Sequence, residues 1–499
     1  MNKEYRMKKL LSIILLFSVF GLQVVPVEAA LRSGVSETRQ AKKEAKAKLK
    51  AQQKADKELY TRVKQQKDLP YKQYLVKNKY DYINMPWWES FNDPYLIGYI
   101  NKAMAYNYDL KIATLTVDEY LQGVKLQMAN ELPSAEIGYG TGLAGIPPIG
   151  RNPNRDVVHG MGLPVIASYE ADIFLKNHDK TTSAKKAFQA SVSDERATYI
   201  SIVSAVGTVY YNIVRLDKAI ALQEDIVALR KEIYELMFLC HENGVVSTSD
   251  LMKANKSYIH GDTELIDLKR KRIEALNKLA VLIGESPANI NELERISYDD
   301  ISYKDNVPKE ISSDVIVQRP DYMKAEAMLK KAGIDVRVAK KEFLPTIDIM
   351  GLALFNSVHL GKLLTTKNMI WSVAGNAMLP LFTGGARIAN LKVNKIRLEK
   401  ALRNYEKTNL TAIQEVNDAL YAAKLDNEKL IQNKTHLDLE NQDFVLTEKR
   451  LEQGVISKLD WCQMKENLLV IEQLVASNTL DCIIDSITLY KATGTKISE

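Results

Sequence analysis

The chain has 499 residues, 46% of them hydrophobic and 26% charged, with 23 Gly, 14 Pro and 3 Cys. So few breakers and cysteines exclude collagen-like, low-complexity and disulfide-scaffold chains and favour long uninterrupted helices. The formal charge of +6 is unevenly laid down, about +2 over residues 1–30, +10 over 31–80 and −6 over 81–499; the body is acidic and offers no basic surface to nucleic acid.

Lys8 and Lys9 precede an apolar run, Leu10 to Leu22, closed by Pro26 and Val27-Glu28-Ala29, the layout of a cleaved secretory signal over residues 1–29. That run is too short to cross a bilayer as a helix, and no other stretch approaches the roughly 20 apolar residues required. Any membrane crossing is therefore expected to use strands. Cys240, the first cysteine, is far from the cleavage site; Cys240, Cys462 and Cys482 read as small buried hydrophobes or one optional bridge. Residues 30–80 read as a basic helical or disordered arm, either a solvated spacer or a contact with an anionic surface.

The body carries an internal duplication at an offset of about 210 residues. Leu132-Pro133-Ser134-Ala135-Glu136-Ile137 recurs as Leu344-Pro345-Thr346-Ile347-Asp348-Ile349, and Asn243-Gly244-Val245-Val246-Ser247 with Asp250 recurs as Gln453-Gly454-Val455-Ile456-Ser457 with Asp460. Asp172-Ile173-Phe174 falls opposite Pro380-Leu381-Phe382. The repeats are assigned to 81–300 and 301–499.

Each repeat has the same order of parts. A helical segment, about Pro94–Asn130 and then Pro320–Glu342, leads into Leu-Pro. A strand pair follows, about Ala135–Gly145 with Val157–Phe174, then Thr346–His359 with Met369–Phe382, read from β-branched and aromatic residues interleaved with Gly and Ala. Strands of this length suit a tilted membrane crossing of about 9–11 residues. Long helices come next: Thr181–Asn243, containing Gly207, and Ala386–Gln453, free of Gly and Pro. Each ends at the duplicated glycine and is followed by another helix, about Ser249–Ile283 and Leu459–Thr493. Apolar residues such as Ile220, Ile226, Leu229, Ile233 and Leu236 recur at helical period and mark a packed seam. The units are antiparallel α-hairpins, rods rather than a globular core.

No catalytic constellation emerges. Gly140-Thr141-Gly142-Leu143-Ala144-Gly145 fits a dinucleotide fingerprint, but Pro147-Pro148 stands where a phosphate-binding helix would begin. The histidines are dispersed without metal-ligand spacing, and no Walker loop or nucleophile elbow is present. The expectation is a protein without catalysis, cofactor or metal.

Trp87-Trp88 to Phe91 with Asp93-Pro94, Leu132-Pro133, Arg319-Pro320-Asp321 with Ala325-Glu326, Leu344-Pro345, and Leu381-Phe382-Thr383-Gly384-Gly385 with Arg387 occur in an order that resembles the TolC-like outer membrane efflux protein family. Within it the chain is most similar to outer membrane factors of resistance-nodulation-division pumps, over about residues 85–495. The resemblance implies a homotrimer. Each chain gives four strands to a shared twelve-stranded β-barrel in outer membrane lipid, and its helices to a periplasmic α-barrel. It also implies docking of a periplasmic adaptor, coupled to an inner membrane transporter, at hairpin tips formed by Gly244, Val245, Val246, Gly454, Val455 and Ile456. By position Asp460 matches the principal constriction aspartate of a periplasmic gate and Asp250 its counterpart. The family's second acid is Gln463 here and its latch partners are Leu451 and Ile456, so closure is expected to rest on packing.

Read from the residues, Asp460 and Asp250 also suit the first helical turn, where a carboxylate favours the dipole. Arg319-Pro320-Asp321 reads as a helix start, Gly244 and Gly454 as left-handed turn residues. Trp87 and Trp88 read as packing, and Phe174 and Phe382 as residues at a membrane boundary. The function expected is a passive conduit for export of small molecules across the outer membrane. The alternatives are the outer membrane component of type I protein secretion and, from another class, a soluble periplasmic coiled-coil tethering protein.

Overall fold

The computed structural model describes residues 87–146, 156–288, 293–301, 303, 307–308, 310–357 and 360–494. The signal-like segment 1–29, the basic arm 30–80 and the Pro147-Pro148 loop lie outside them.

The helical segment expected over Pro94–Asn130 is two helices, α1 (Pro94–Tyr106) and α2 (Tyr108–Ala129). Asn107 breaks it: its backbone is extended, its side chain accepts from Leu110 N at 3.1 Å, and its amide donates to Leu282 O at 2.8 Å. Asn at an N-cap satisfies an orphan amide that a continuous helix would not leave free. Strand β1 (Ser134–Ile137), β2 (Gly140–Ile146) and β3 (Asp156–Glu170) follow, then α3 (Lys176–Glu242) and α4 (Thr248–Leu282). The second repeat has short α5 (Asp314–Gln318), α6 (Pro320–Lys341), β4 (Thr346–Ser357), β5 (Met369–Met378), α7 (Ala386–Glu452) and α8 (Lys458–Thr493).

Several boundaries move from the sequence reading. The strands stop at Glu170 and Met378 rather than at Phe174 and Phe382, and the expected end at His359 lies outside the described residues. Helix α3 begins at Lys176, five residues early, and runs through Gly207 without a break. There a Cβ would sit 3.1 Å from both Trp87 and Ile487, so the missing side chain admits close packing. Helices α3 and α7 have 67 residues each, about 100 Å at 1.5 Å per residue.

The sheet order is β1/β2–β3–β4–β5, all neighbours antiparallel. β1 and β2 are one strand interrupted at Gly138-Tyr139, opposite Leu163-Pro164 of β3. Pro164 has no N–H to offer the ladder, and Gly138 N donates to its carbonyl at 2.8 Å. Four strands remain, in two hairpins joined through β3 and β4.

Residues in register share a face of a sheet. Ser134, Ser168, Met350 and Ala374 align, as do Glu170, Asp348 and Asn376; the described acidic and amide side chains of the strands, including Glu136 and Asn356, all fall on this face. The other carries Ile137, Val165, Ala353 and Trp371 in one row and Leu163, Phe355 and Met369 in another. One face is polar and one apolar, the partition of a strand set that separates water from lipid.

The main core lies where α1, α3, the end of α4 and α8 meet. Trp88, Leu96, Ile100, Tyr210, Ile213, Leu279, Ile283, Leu480 and Ile483 are almost wholly buried. Trp87 stacks on Tyr490 at 5.6 Å, so the tryptophans are packing residues. Tyr210 donates to Asp93 at 2.6 Å while Asp93 caps α1 through Tyr95 N and Leu96 N. Helices α3 and α8 each contain an 18-residue stretch long and apolar enough to cross a membrane, more apolar than the sequence reading allowed. These stretches are 61% and 50% buried against other helices, so their apolarity serves the core.

Candidate functional site

The two hairpin tips have the same construction. In the first, Gly244 has φ +72°, Gly244 N donates to His241 O and Val245 N to Cys240 O, both at 2.9 Å. In the second, Gly454 has φ +69°, Gly454 N donates to Leu451 O at 2.9 Å and Val455 N to Arg450 O at 2.8 Å. This crossed pair of bonds closes a helix C-terminus with a left-handed residue, which glycine adopts at least cost. Val245 and Val455 are exposed, 73% and 69%. Val246 and Ile456 are half-buried, so each tip presents one aliphatic side chain rather than the expected pair.

Ser247 and Ser457 then cap α4 and α8. Asp250 N donates to Ser247 Oγ at 3.2 Å, and Asp460 N to Ser457 Oγ at 3.1 Å. In the second tip the exchange is reciprocal, Ser457 N donating to Asp460 Oδ2 at 3.1 Å, a capping box. The Ser457 hydroxyl and backbone amide hold the Asp460 carboxyl below the usual carboxylate range; Ser247 and then Lys253, at 3.0 Å, do the same for Asp250. Both aspartates stay ionised at neutral pH, and both fill the N-terminal-turn role that the sequence also allowed.

The structure adds contacts that sequence spacing could not reveal. Arg230 of α3 donates from Nε to Glu466 Oε1 of α8 at 2.8 Å and from Nη1 to Ser257 O of α4 at 3.4 Å. Lys458 pairs with Glu232 at 3.4 Å and lies 3.7 Å over the Trp461 ring. The first hairpin is thus tied to the second near the tips by two ion pairs. Cys240, Cys462 and Cys482 are unpaired within the chain, and Cys462 and Cys482 are buried.

Midway along the helical rods, beside Glu415 of α7, Arg319 is 93% buried. It donates to Asp321 at 2.8 Å, Glu415 at 2.5 Å and Ala492 O at 2.5 Å, so the Arg-Pro-Asp start of α6 also clamps α7 and the end of α8. Gly384 and Gly385 have φ +60° and +82° and turn the chain from β5 into α7. Phe174 and Phe382 lie just beyond the strands, 37% and 90% exposed. A hollow of about 620 Å³ opens on the polar face, lined by Ser134, Ser168, Glu170, Asp348, Asn376 and Lys180. A second of about 360 Å³ adjoins it among Gln127, Lys180, Lys331, Asp335, Asn394 and Arg397. The glycine-rich Gly140–Gly145 run occupies β2, paired along its length with β3.

Solved channels share this architecture. The Campylobacter jejuni CmeC outer membrane channel superposes with a TM-score of 0.75 at 24% identity, covering 84% of this chain and 90% of that one. The open-state MtrE outer membrane channel of Neisseria gonorrhoeae gives 0.70 at 26% identity, covering 83% and 91%. By sequence, the probable efflux pump outer membrane protein TtgC of Pseudomonas putida is 28% identical over 415 residues, 82% of this chain and 84% of TtgC. The model of the family described as outer membrane efflux protein matches residues 99–285 and 311–495. With both repeats matched over most of their length, the chain belongs to the outer membrane efflux protein family.

Proposed function

We propose that three copies of this chain form a passive conduit through which an energised inner membrane transporter, coupled by a periplasmic adaptor, exports small molecules across the outer membrane. The observation that carries this reading is the four-strand sheet with one apolar and one polar face and two unpaired edges, continuous with helices of 67 residues. In lipid an open edge leaves backbone groups without partners, so neighbouring chains must supply them. The relatives' names point the same way: TtgC is an efflux pump component. A soluble tether would have no use for the apolar sheet face.

The tips are the docking and gating end in this reading. Val245 and Val455 offer aliphatic contact to an adaptor, and Asp460, with Asp250, places like charges around the axis of a trimer. Held ionised by their serines, these carboxylates repel one another across a closed entrance and attract cations. In this reading the chain's work is to bind, constrict and exclude.

The test is fractionation of expressing cells, mass determination of the detergent-extracted species and conductance in planar bilayers. An outer membrane species of three chains that conducts, with Asp460→Asn altering its cation preference, is the expected result. A soluble monomer or dimer overturns the reading.

A further inference from the structure

We propose that the outward face of the helices just beneath the strands is a basic collar that binds the phosphate groups of anionic lipids in the periplasmic leaflet of the outer membrane. The proposal rests on the outer membrane reading above and adds a ligand to it.

Four helix ends meet the sheet at one level: α2 and α6 arrive there, α3 and α7 leave. The residues lining the polar-face hollows fix which way each helix faces. At 100° per residue, Lys185 is turned about 140° from the lining residue Lys180, Lys340 about 180° from Lys331, and Lys125 and Lys392 about 160° from Gln127 and Asn394. All four lysines therefore point to the side of the apolar sheet face, and all four are exposed. With a rise of 1.5 Å per residue they lie within about 14 Å of the strand-proximal ends of their helices.

Their pairing sets them apart. The inward cation Lys331 binds Asp335 at 2.7 Å, and Lys341 binds Asp179 at 2.7 Å. Acids further along the same helices are already matched, Glu326 to Lys330 and Glu399 to Arg403. Among the described residues Lys125, Lys185, Lys340 and Lys392 have no ion-pair partner. Between this collar and the strands stand the exposed apolar residues Phe174, Phe343, Leu381 and Phe382. Apolar face, aromatic boundary and unpaired lysines in that order match the layers of a leaflet: hydrocarbon, interface, headgroup. The headgroup layer adds about 5–8 Å on each side of the hydrocarbon, and attraction to an anionic surface extends roughly another Debye length, about 8 Å. Lysine stems extend along apolar surface with the ammonium at the phosphates.

The experiment uses the purified full-length protein in mixed micelles of phosphatidylglycerol and phosphatidylcholine, with co-purified lipid quantified at low and high salt. Conductance of the same preparation is recorded in parallel. The wild type is expected to enrich phosphatidylglycerol about tenfold at low salt, and to lose most of that at high salt, because each lysine near an anionic surface contributes severalfold. The quadruple variant Lys125→Gln, Lys185→Gln, Lys340→Gln, Lys392→Gln is expected to fall close to no enrichment while conducting as the wild type does. Lys180→Gln, which removes an inward cation, keeps the enrichment. A conducting protein without phosphatidylglycerol preference, or one whose preference survives the quadruple substitution, overturns the collar alone. A preparation that does not conduct overturns the conduit reading and the collar with it.

Discussion

Arg230→Met removes the guanidinium that joins the two hairpins while keeping most of the aliphatic stem. The bond to Glu466 is 2.8 Å long between side chains only 17% and 19% exposed, so it is a partly shielded, charge-assisted hydrogen bond. Such bonds contribute about 1.5–3 kcal/mol; residual water at both ends argues for the low figure, about 1.5. In the proposed trimer, an opening that separates α3 from α8 in all three chains breaks three of them, about 4.5 kcal/mol, or roughly a thousandfold in the closed-to-open ratio. The remaining Lys458–Glu232 pair, with side chains 44% and 43% exposed, opposes this with at most about 1 kcal/mol per chain. Single-channel recording is expected to show a large rise in open probability for Arg230→Met, a comparable rise for Glu466→Gln, and no further rise in the double variant. Unchanged openings in both single variants, or effects that add in full, would refute the reasoning.

Gly454→Ala places a Cβ at φ +69° and is expected to lower stability by about 1–2 kcal/mol, read as an earlier thermal transition, with Gly244→Ala behaving alike. Arg319→Leu leaves Glu415 and the Ala492 carbonyl without their donor and is expected to cost about 2–4 kcal/mol, visible in denaturant unfolding. Asp485 of α8 is pushed up to about 7, first by burial and then by Asp426 of α7 and by Asp481, with Lys429 opposing. Its folded pKa exceeds the unfolded value, so stability is greatest below about pH 4 and falls as pH rises through 7. After allowing for partial solvent access the loss is about 2 kcal/mol. Asp485→Asn should abolish that slope in pH-dependent melting; a variant as pH-sensitive as the wild type would exclude Asp485 as the source.

The duplication was legible because its anchors, Leu-Pro and Gly-Val before a serine, are short-range devices whose geometry depends on the residues themselves. The same holds for the capping aspartates and the helix start at Pro320. The break at Asn107 had its signal, Asn followed by Tyr108-Asp109 as a cap and first turn, masked by apolar periodicity on both sides. Strand ends were overrun because Ile173-Phe174 and Leu381-Phe382 are as apolar as the strands; they belong to the boundary beyond them. Arg230 and Glu466 are 236 positions apart on helices rich in charge, and nothing local distinguishes them from solvated residues. The facial sorting of the strands was weak in sequence because Ile166, Leu352 and Leu354 dilute the polar face.

The seam between β3 and β4 joins one repeat to the next inside a chain, and in the proposed trimer the free edges of β1/β2 and β5 join chain to chain by the same chemistry. A fault in one edge therefore spoils a barrel that two sound chains have helped to build. When sound and faulty chains are made in equal amounts and mix at random, roughly one trimer in eight is wholly sound. Edge substitutions in β5 would thus behave as dominant alleles in a cell carrying both versions, whereas substitutions confined to the loops would be recessive.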